Sequence, residues 1–368
     1  MKSVSAAVSS RLPVFPWDRL TSYKSTASAH PGGIVDLSVG TPVDPVPELI
    51  RRALVAAADS PGYPAVWGTA ELRNALTGWV ERRLGAVAVA HENVLPVVGS
   101  KELVAWLPTQ LGLGAGDRVA YPRLAYPTYE VGARLCGAEP VAYDDPTDLD
   151  PAGLKLLWLN SPSNPTGRVL PRDELIRVVA WAREHGVLVF SDECYLELGW
   201  DAEPVSVLHP DVCGGTYEGV VAVHSLSKRS NLAGYRAAFI AGDAAVLAEL
   251  LLIRKHGGMI TPAPVQAATV VALGDDTHVA EQRARYAARR TALRAALEAH
   301  GFRIEHSEAG LYLWATRDEP CWDSVAHLAG LGILVAPGDF YGPAGDRFVR
   351  VAVTATDERV AAAVERLS

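Results

Sequence analysis

The twelve residues Ser225-Leu-Ser-Lys-Arg-Ser-Asn-Leu-Ala-Gly-Tyr-Arg236 carry more chemistry per position than any other stretch of this chain. Lys228 sits among small hydroxyl residues just after an apolar run, Val220 to Val223, and Arg236 follows eight residues later, two past a glycine. A lysine so placed can form a Schiff base with an aldehyde cofactor. The hydroxyls and the arginine suit a phosphate attached to the same cofactor. Three other segments add to this set. Gly99-Ser100-Lys101 follows an apolar run and opens a helix, where backbone N–H groups and the helix dipole can hold a phosphate. Asn160-Ser-Pro-Ser-Asn164-Pro-Thr-Gly167 follows another such run, and Asp192 ends a third, with Tyr195 three residues on. Each piece alone has a plainer reading: a helix cap, a turn, a solvated lysine, a surface ion pair. Spacing and order together argue for one site.

The elements that must position these groups are legible as alternating patterns. Strands are expected at Val94–Val98, Arg118–Tyr121, Pro140–Tyr143, Lys155–Leu159, Val187–Ser191, Val220–Val223 and Ala237–Ala241. Their β-branched, continuously apolar character suits strands covered on both faces. Helices such as Glu102–Leu111 and Arg172–His185 lie between them. Such alternation specifies an α/β fold with a large, doubly wound, mainly parallel seven-stranded sheet. Ligands of open α/β sheets lie beyond the carboxyl ends of the strands, which is where the four segments fall. After Ala263 one long helical region is expected to about His300, then strands at Phe302–Glu305, Gly310–Ala315 and Phe348–Val353 of a smaller α+β domain. The expected division is an arm and part of the small domain over 1–40, a large domain over 41–265 and the small domain over 266–368. The first 30 residues read as an extended arm with a short helix.

Composition narrows the function class. The chain has 368 residues, a net charge of −8 and 21% charged residues. An acidic surface argues against nucleic acid and against anionic membranes as partners. No apolar run is long enough to span a bilayer, and the N-terminus lacks the apolar stretch of a signal peptide. The four cysteines, Cys136, Cys194, Cys213 and Cys321, are far apart, so neither a metal site nor a disulfide framework is expected, and a cytoplasmic setting fits.

With these residues in hand, the chain resembles the fold-type I pyridoxal-phosphate (PLP) enzymes of the class I/II aminotransferases. The resemblance runs from Val35-Asp-Leu-Ser-Val-Gly-Thr-Pro42 to Phe348-Val-Arg-Val-Ala-Val353. It implies that Lys228 carries the cofactor, that Asp192 pairs with its ring nitrogen, and that Asn164 and Tyr195 bond its phenolic oxygen. Tyr126 would stack on the ring, while Ser100, Lys101, Ser225 and Arg236 would hold the phosphate. For Lys101 the backbone N–H is the better candidate. Arg350 would grip the substrate α-carboxylate, with Gly40 opposite it. The resemblance also implies a homodimer in which Tyr63 reaches the neighbouring site.

Ser-Lys-Arg-Ser-Asn-Leu-x-Gly, with Trp158-Leu-Asn-Ser-Pro-Ser-Asn-Pro-Thr-Gly167 and Ser191-Asp-Glu-Cys-Tyr195, is similar to the N-succinyldiaminopimelate aminotransferases of lysine and cell-wall synthesis. That likeness implies amino transfer between glutamate and N-succinyl-2-amino-6-oxopimelate. Aminotransferases of other specificity and carbon–sulfur β-lyases share the scaffold and are the alternatives. Both proposed substrates carry a distal carboxylate, for which Arg19, Lys24, Arg254 and Lys255 are candidates on charge alone. Gly257-Gly258 would allow a close backbone approach there.

Overall fold

Alternation of side chains along a strand means that a run apolar at every position must be covered on both faces. In the computed structural model, which describes residues 6–368, that is what the expected runs do. After a short β1 (Val35–Asp36) come β2 (Val94–Val98), β3 (Arg118–Pro122), β4 (Glu139–Tyr143), β5 (Leu154–Asn160), β6 (Leu188–Asp192), β7 (Val220–Ser225) and β8 (Ala237–Gly242). The last seven form one sheet in the order β2-β8-β7-β6-β5-β3-β4. Only β8 runs against its neighbours. In β5, Leu157 and Leu159 pack to one side, with Trp79 and Phe239. Leu156 and Trp158 pack to the other, with Tyr129 and Phe190. Both layers are buried, and each fully buried large side chain contributes about 1.5–3 kcal/mol relative to exposure.

The register sets the rim. Val98 pairs with Ala237, Ser225 with Ala238, Val223 with Asp192, and Asp192 with Asn160. Because β8 is antiparallel, its start, just after Arg236, lies at the same edge as the ends of β2, β5, β6 and β7. The chain turns there into helix Ser100–Gln110 and into the short helix Leu226–Arg229.

A second, antiparallel sheet has the order β12-β13-β10-β9. It is built from β9 (Arg303–Glu305), β10 (Tyr312–Thr316), β12 (Ala336–Pro337) and β13 (Val349–Ala352), while β11 (Ile333–Leu334) pairs in parallel with β1. That last pair draws the segment before Gly40 onto the C-terminal part of the chain.

Three expectations change. Residues 1–5 of the expected arm lie outside the described residues, and much of the rest is helical, at Ala6–Ser9, Pro16–Leu20 and Thr21–Ser28. The long helical region is two helices, Ala263–Gly274 and Thr277–Ala299. They break at Gly274-Asp-Asp276, where the Asp275 carboxylate accepts from the His278 backbone N–H at 2.9 Å and so starts the second helix. The short strands β1, β11 and β12 escaped prediction, since two residues carry no periodicity. Among the described residues, no helix is long and apolar enough to cross a membrane.

Candidate active site

The rim opens into a cavity of about 560 Å³ between the two sheets. Gly40, Ser100, Lys101, Tyr126, Asn164, Asp192, Tyr195, Ser225, Lys228, Arg236 and Arg350 all line it. Tyr63 does not: its side chain is 99% exposed. Of the cations considered for a distal carboxylate, none lines the cavity. Arg254 is fully buried elsewhere, with an amino group 3.1 Å from the Glu102 carboxylate. Arg19 bonds Asp339 at 2.9 Å, and Lys24 and Lys255 are exposed. Gly258 serves instead as a left-handed helix cap at φ 67°.

Lys228 lies in the short helix after β7, and its amine donates to the Gly40 carbonyl. Burial lowers its pKa; Tyr312 works against this, and the Arg350 and Arg236 cations add to it. The amine is therefore easier to hold neutral than a surface lysine.

Asp192, at the end of β6, is buried. Its carboxylate accepts from the Tyr129 hydroxyl at 2.8 Å and from the Cys194 backbone N–H at 3.2 Å. Burial raises its pKa against these two donors. No cation of the described residues pairs with it, so it is a carboxylate held ready for a positive partner.

Asn160 shapes the neighbouring turn. Its amide donates to the carbonyls of Pro162 and Asp192, and its oxygen accepts from the Asn164 N–H at 2.8 Å. Asn164 is thereby turned toward Arg350, which donates to its side-chain oxygen at 2.7 Å and to the Ser38 carbonyl at 2.8 Å. The guanidinium is 2% exposed, and its Nε has no partner among the described residues. Tyr312 and Tyr341 flank it, with ring centroids 3.9 and 4.8 Å from Cζ. Such a cation between aromatic faces is held flat, as a fork for a carboxylate must be.

At the other end, Arg236 has a left-handed backbone, φ 57°, and packs against Gly99. A Cβ on Gly99 would lie 2.0 Å from an Arg236 Nη, so only glycine admits the guanidinium there. Ser225 accepts from the Ser227 N–H and donates to its hydroxyl at 2.9 Å. With the first turn of helix Ser100–Gln110, this makes an anion seat.

The cavity thus holds a neutral-leaning amine, a buried carboxylate with no cation, an anion seat and a flat guanidinium. A ring bearing an aldehyde, a basic nitrogen and a phosphate meets a matching group at each position, so these residues fit PLP.

Several lining residues had escaped notice. Tyr129 follows Tyr126 by one helical turn and stacks on Trp158 at 5.1 Å; the spacing in Tyr-Pro-Thr-Tyr was the available signal. Tyr312 lies 3.0 Å from the Tyr195 hydroxyl. Burial pushes Tyr195 well above the ordinary phenol range, whereas for Tyr312 the Arg350 and Lys228 cations outweigh burial and pull it down. Either hydroxyl of the pair can donate. Phe15 and Trp17 close the outer side of the cavity. By contrast, Arg229, Ser230 and Asn231 do not line it.

The family model for aminotransferase class I and II matches residues 33–367. The chain is 64% identical to a protein of Mycobacterium tuberculosis described as a probable aminotransferase, over 98% of this chain and 86% of that one. It is 60% identical to the 4-dedimethylamino-4-oxo-anhydrotetracycline transaminase of Streptomyces rimosus, over 97% of this chain and 99% of that one. Among solved structures, a probable N-succinyldiaminopimelate aminotransferase of Thermus thermophilus superimposes with a TM-score of 0.86 at 28% identity, covering 96% of this chain and 99% of the other.

Proposed function

The chain belongs to the class I and II aminotransferases, which use PLP, and from that premise we propose that it moves an amino group between glutamate and N-succinyl-2-amino-6-oxopimelate. The observation that carries a transaminase site is the placing of Lys228 between the Arg350 fork and the Arg236 anion seat in one cavity. The succinylated substrate is supported by the likeness to the Thermus thermophilus structure and by the Ser-Lys-Arg-Ser-Asn motif.

In this reading Arg236, Ser225 and the Ser100 and Lys101 N–H groups hold the phosphate, and Tyr126 covers the ring. Asp192 keeps the ring nitrogen protonated, because a carboxylate beside it favours the charged form. Bound PLP supplies an electron sink for the pair left on the substrate Cα. Arg350 grips the α-carboxylate in two places, releasing Asn164 and Ser38, and so fixes which bond at Cα stands across the ring. Once the substrate amine has displaced it from the cofactor, the Lys228 amine would be free to carry the Cα proton as a general acid–base. Tyr195 and Asn164 hold the phenolic oxygen.

Tyr129→Phe removes one of the two donors to Asp192 and leaves the ring stack intact. We expect kcat/KM to fall about ten- to a hundredfold, the worth of one hydrogen bond to a buried charge. Steady-state kinetics at saturating cofactor measure it, and an unchanged value would detach Tyr129 from the site.

A second reading follows from the 60% identity to a transaminase of a tetracyclic ketone, together with the aromatic outer wall of Phe15 and Trp17. A substrate panel decides between them. The PLP form is mixed with glutamate, N-succinyl-LL-diaminopimelate, alanine and an amino-tetracycline, and the loss of its visible absorbance is followed. Rapid conversion by the succinylated diamine and by glutamate is expected. No response to the former would remove the specific assignment and leave the family reading intact; release of pyruvate and ammonia from cystathionine would point to a lyase.

The proposal extends to a cytoplasmic homodimer. Tyr63 is almost wholly exposed, which leaves its ring open to a neighbouring chain and is compatible with its reaching a neighbouring site. Division of the chain near residue 265 belongs to the same reading.

A further inference from the structure

Arg229, Ser230 and Asn231 follow Lys228 directly and are all buried, yet none touches the cavity. Three consecutive buried polar side chains are costly unless each is bonded. Arg229 is ion-paired with the buried Glu197 and donates to the Ala272 carbonyl at 3.0 Å. The Ser230 hydroxyl lies 2.8 Å from His278 Nε2, while His278 Nδ1 meets the Asp275 carboxylate at 2.6 Å. Asn231 donates to the Gln282 side-chain oxygen at 2.9 Å and accepts from the Tyr286 hydroxyl at 3.3 Å. His278, Gln282 and Tyr286 are four residues apart, so one face of helix Thr277–Ala299 meets the lysine loop.

The bonds continue in a circuit. Gln282 donates to the Asp44 carboxylate at 2.8 Å, and Arg289 holds the same carboxylate through two N–H groups, each at 2.7 Å. Asp44 lies four residues after Gly40, whose carbonyl receives the Lys228 amine. The lysine is therefore held at both ends by one path: main chain to Asn231, Gln282, Asp44, Gly40 and back to its own amine.

We propose that Arg229, Ser230 and Asn231 are positioning residues for Lys228, fixing its main chain, through helix Thr277–Ala299 and Asp44, against the Gly40 carbonyl that its amine meets. This rests on the reading of Lys228 as the residue that carries PLP. A loosened circuit lets the amine wander from its place opposite Cα, and misplacement of a reacting group by an ångström can cost orders of magnitude in rate. Tyr312, Arg350, Cys194 and Arg236 face the amine from the other elements around it, and the circuit variants touch none of them. A changed titration of the lysine-linked cofactor would therefore report its displacement.

Two holoenzyme variants test this. Asn231 has φ 57°, a left-handed conformation that glycine adopts freely, so Asn231→Gly removes its three side-chain bonds, to Gln282, to the Pro45 carbonyl and from Tyr286, without backbone strain. Gln282→Met keeps the chain length and removes the bonds to Asn231 and Asp44; it serves alone if the first variant does not fold. In each, the pH midpoint of the visible absorbance should move by about half a unit or more, a differential interaction of at least about 0.7 kcal/mol. The value of kcat should fall about tenfold, with the KM for glutamate changing less than about twofold. The double variant should lose far less than the product of the single losses, because both act on one circuit. A lowered unfolding temperature with midpoint and kcat both unchanged would overturn the proposal and leave the three residues as fold-stabilising only. A wild-type protein with no lysine-linked absorbance at all would remove the site reading beneath it, a result separate from variants that merely match the wild type.

Discussion

Replacing Lys228 with alanine is expected to lower transaminase kcat by at least about 10⁴-fold, because general acid–base transfer by itself is worth about 10²–10⁴ and the covalent hold on the cofactor goes with it. No other lysine in the described residues can take over. Lys101, also at the cavity, lies with its amine 5.7 Å from the Tyr126 ring centroid and 5.9 Å from that of Phe15, on the outer side. The fold should survive. Among the described residues Lys228 makes no ion pair, and burial already disfavours its charged form, so alanine removes a desolvation cost along with a hydrogen bond to Gly40. The measurement is steady-state transamination in cofactor-saturated protein, beside its thermal midpoint. Activity retained in a clean Lys228→Ala preparation would sink the site assignment. Activity lost with an unchanged midpoint is the expected pair of results.

Asp192→Asn should be the next most severe change, with kcat/KM lower by about 200- to 5,000-fold, the usual cost of about 3–5 kcal/mol for breaking a buried charge pair. The substitution is nearly isosteric, and the amide oxygen can still accept from Tyr129. What disappears is the negative charge that favours a protonated ring nitrogen. The cofactor-free protein should respond in the opposite direction. The folded-state pKa of Asp192 is raised by burial, so the folded chain binds its proton more tightly than the unfolded chain does. Its contribution to stability is then present at low pH and is lost as pH rises through the folded pKa. Asparagine has no such loss. The variant without cofactor should be as stable as the wild type, or more so, at neutral pH, while its activity falls. Equal activity in the two proteins would show that Asp192 is a structural carboxylate. A site that spends stability on a charge it needs only with the ligand bound is the pattern expected of a catalytic group.

Arg229–Asn231 show how a motif can be informative without touching the substrate. Their resemblance to the succinyldiaminopimelate branch was carried by residues that the fold turns away from the cavity. If they shape specificity, they do so through the placing of Lys228 and the segment around Gly40, and the substrate panel and the circuit variants examine these two levels separately.

Much of this protein is written locally. A run such as Val220 to Val223 is apolar at every position, and covering both its faces is enough to specify a central strand. A ligand-bearing loop beyond the carboxyl end of such a strand follows from parallel topology, which is why Ser225, Lys228, Asp192, Asn164 and Ser100 could be assembled on one rim before any contact was known. Other features depended on partners distant in the chain. Tyr312 became part of the site because β10 pairs with β13, bringing its ring over Arg350. Arg254 looked free by charge, yet the packing of its helix against Glu102 buried it. Tyr129 became the donor to Asp192 through a separation of 63 residues that no spacing rule contains. The physical reason is the range of the forces. Periodicity and strand ends express hydrophobic burial and backbone pairing, which repeat along the chain, whereas the direction of a single polar side chain is set by which distant partner meets its desolvation cost.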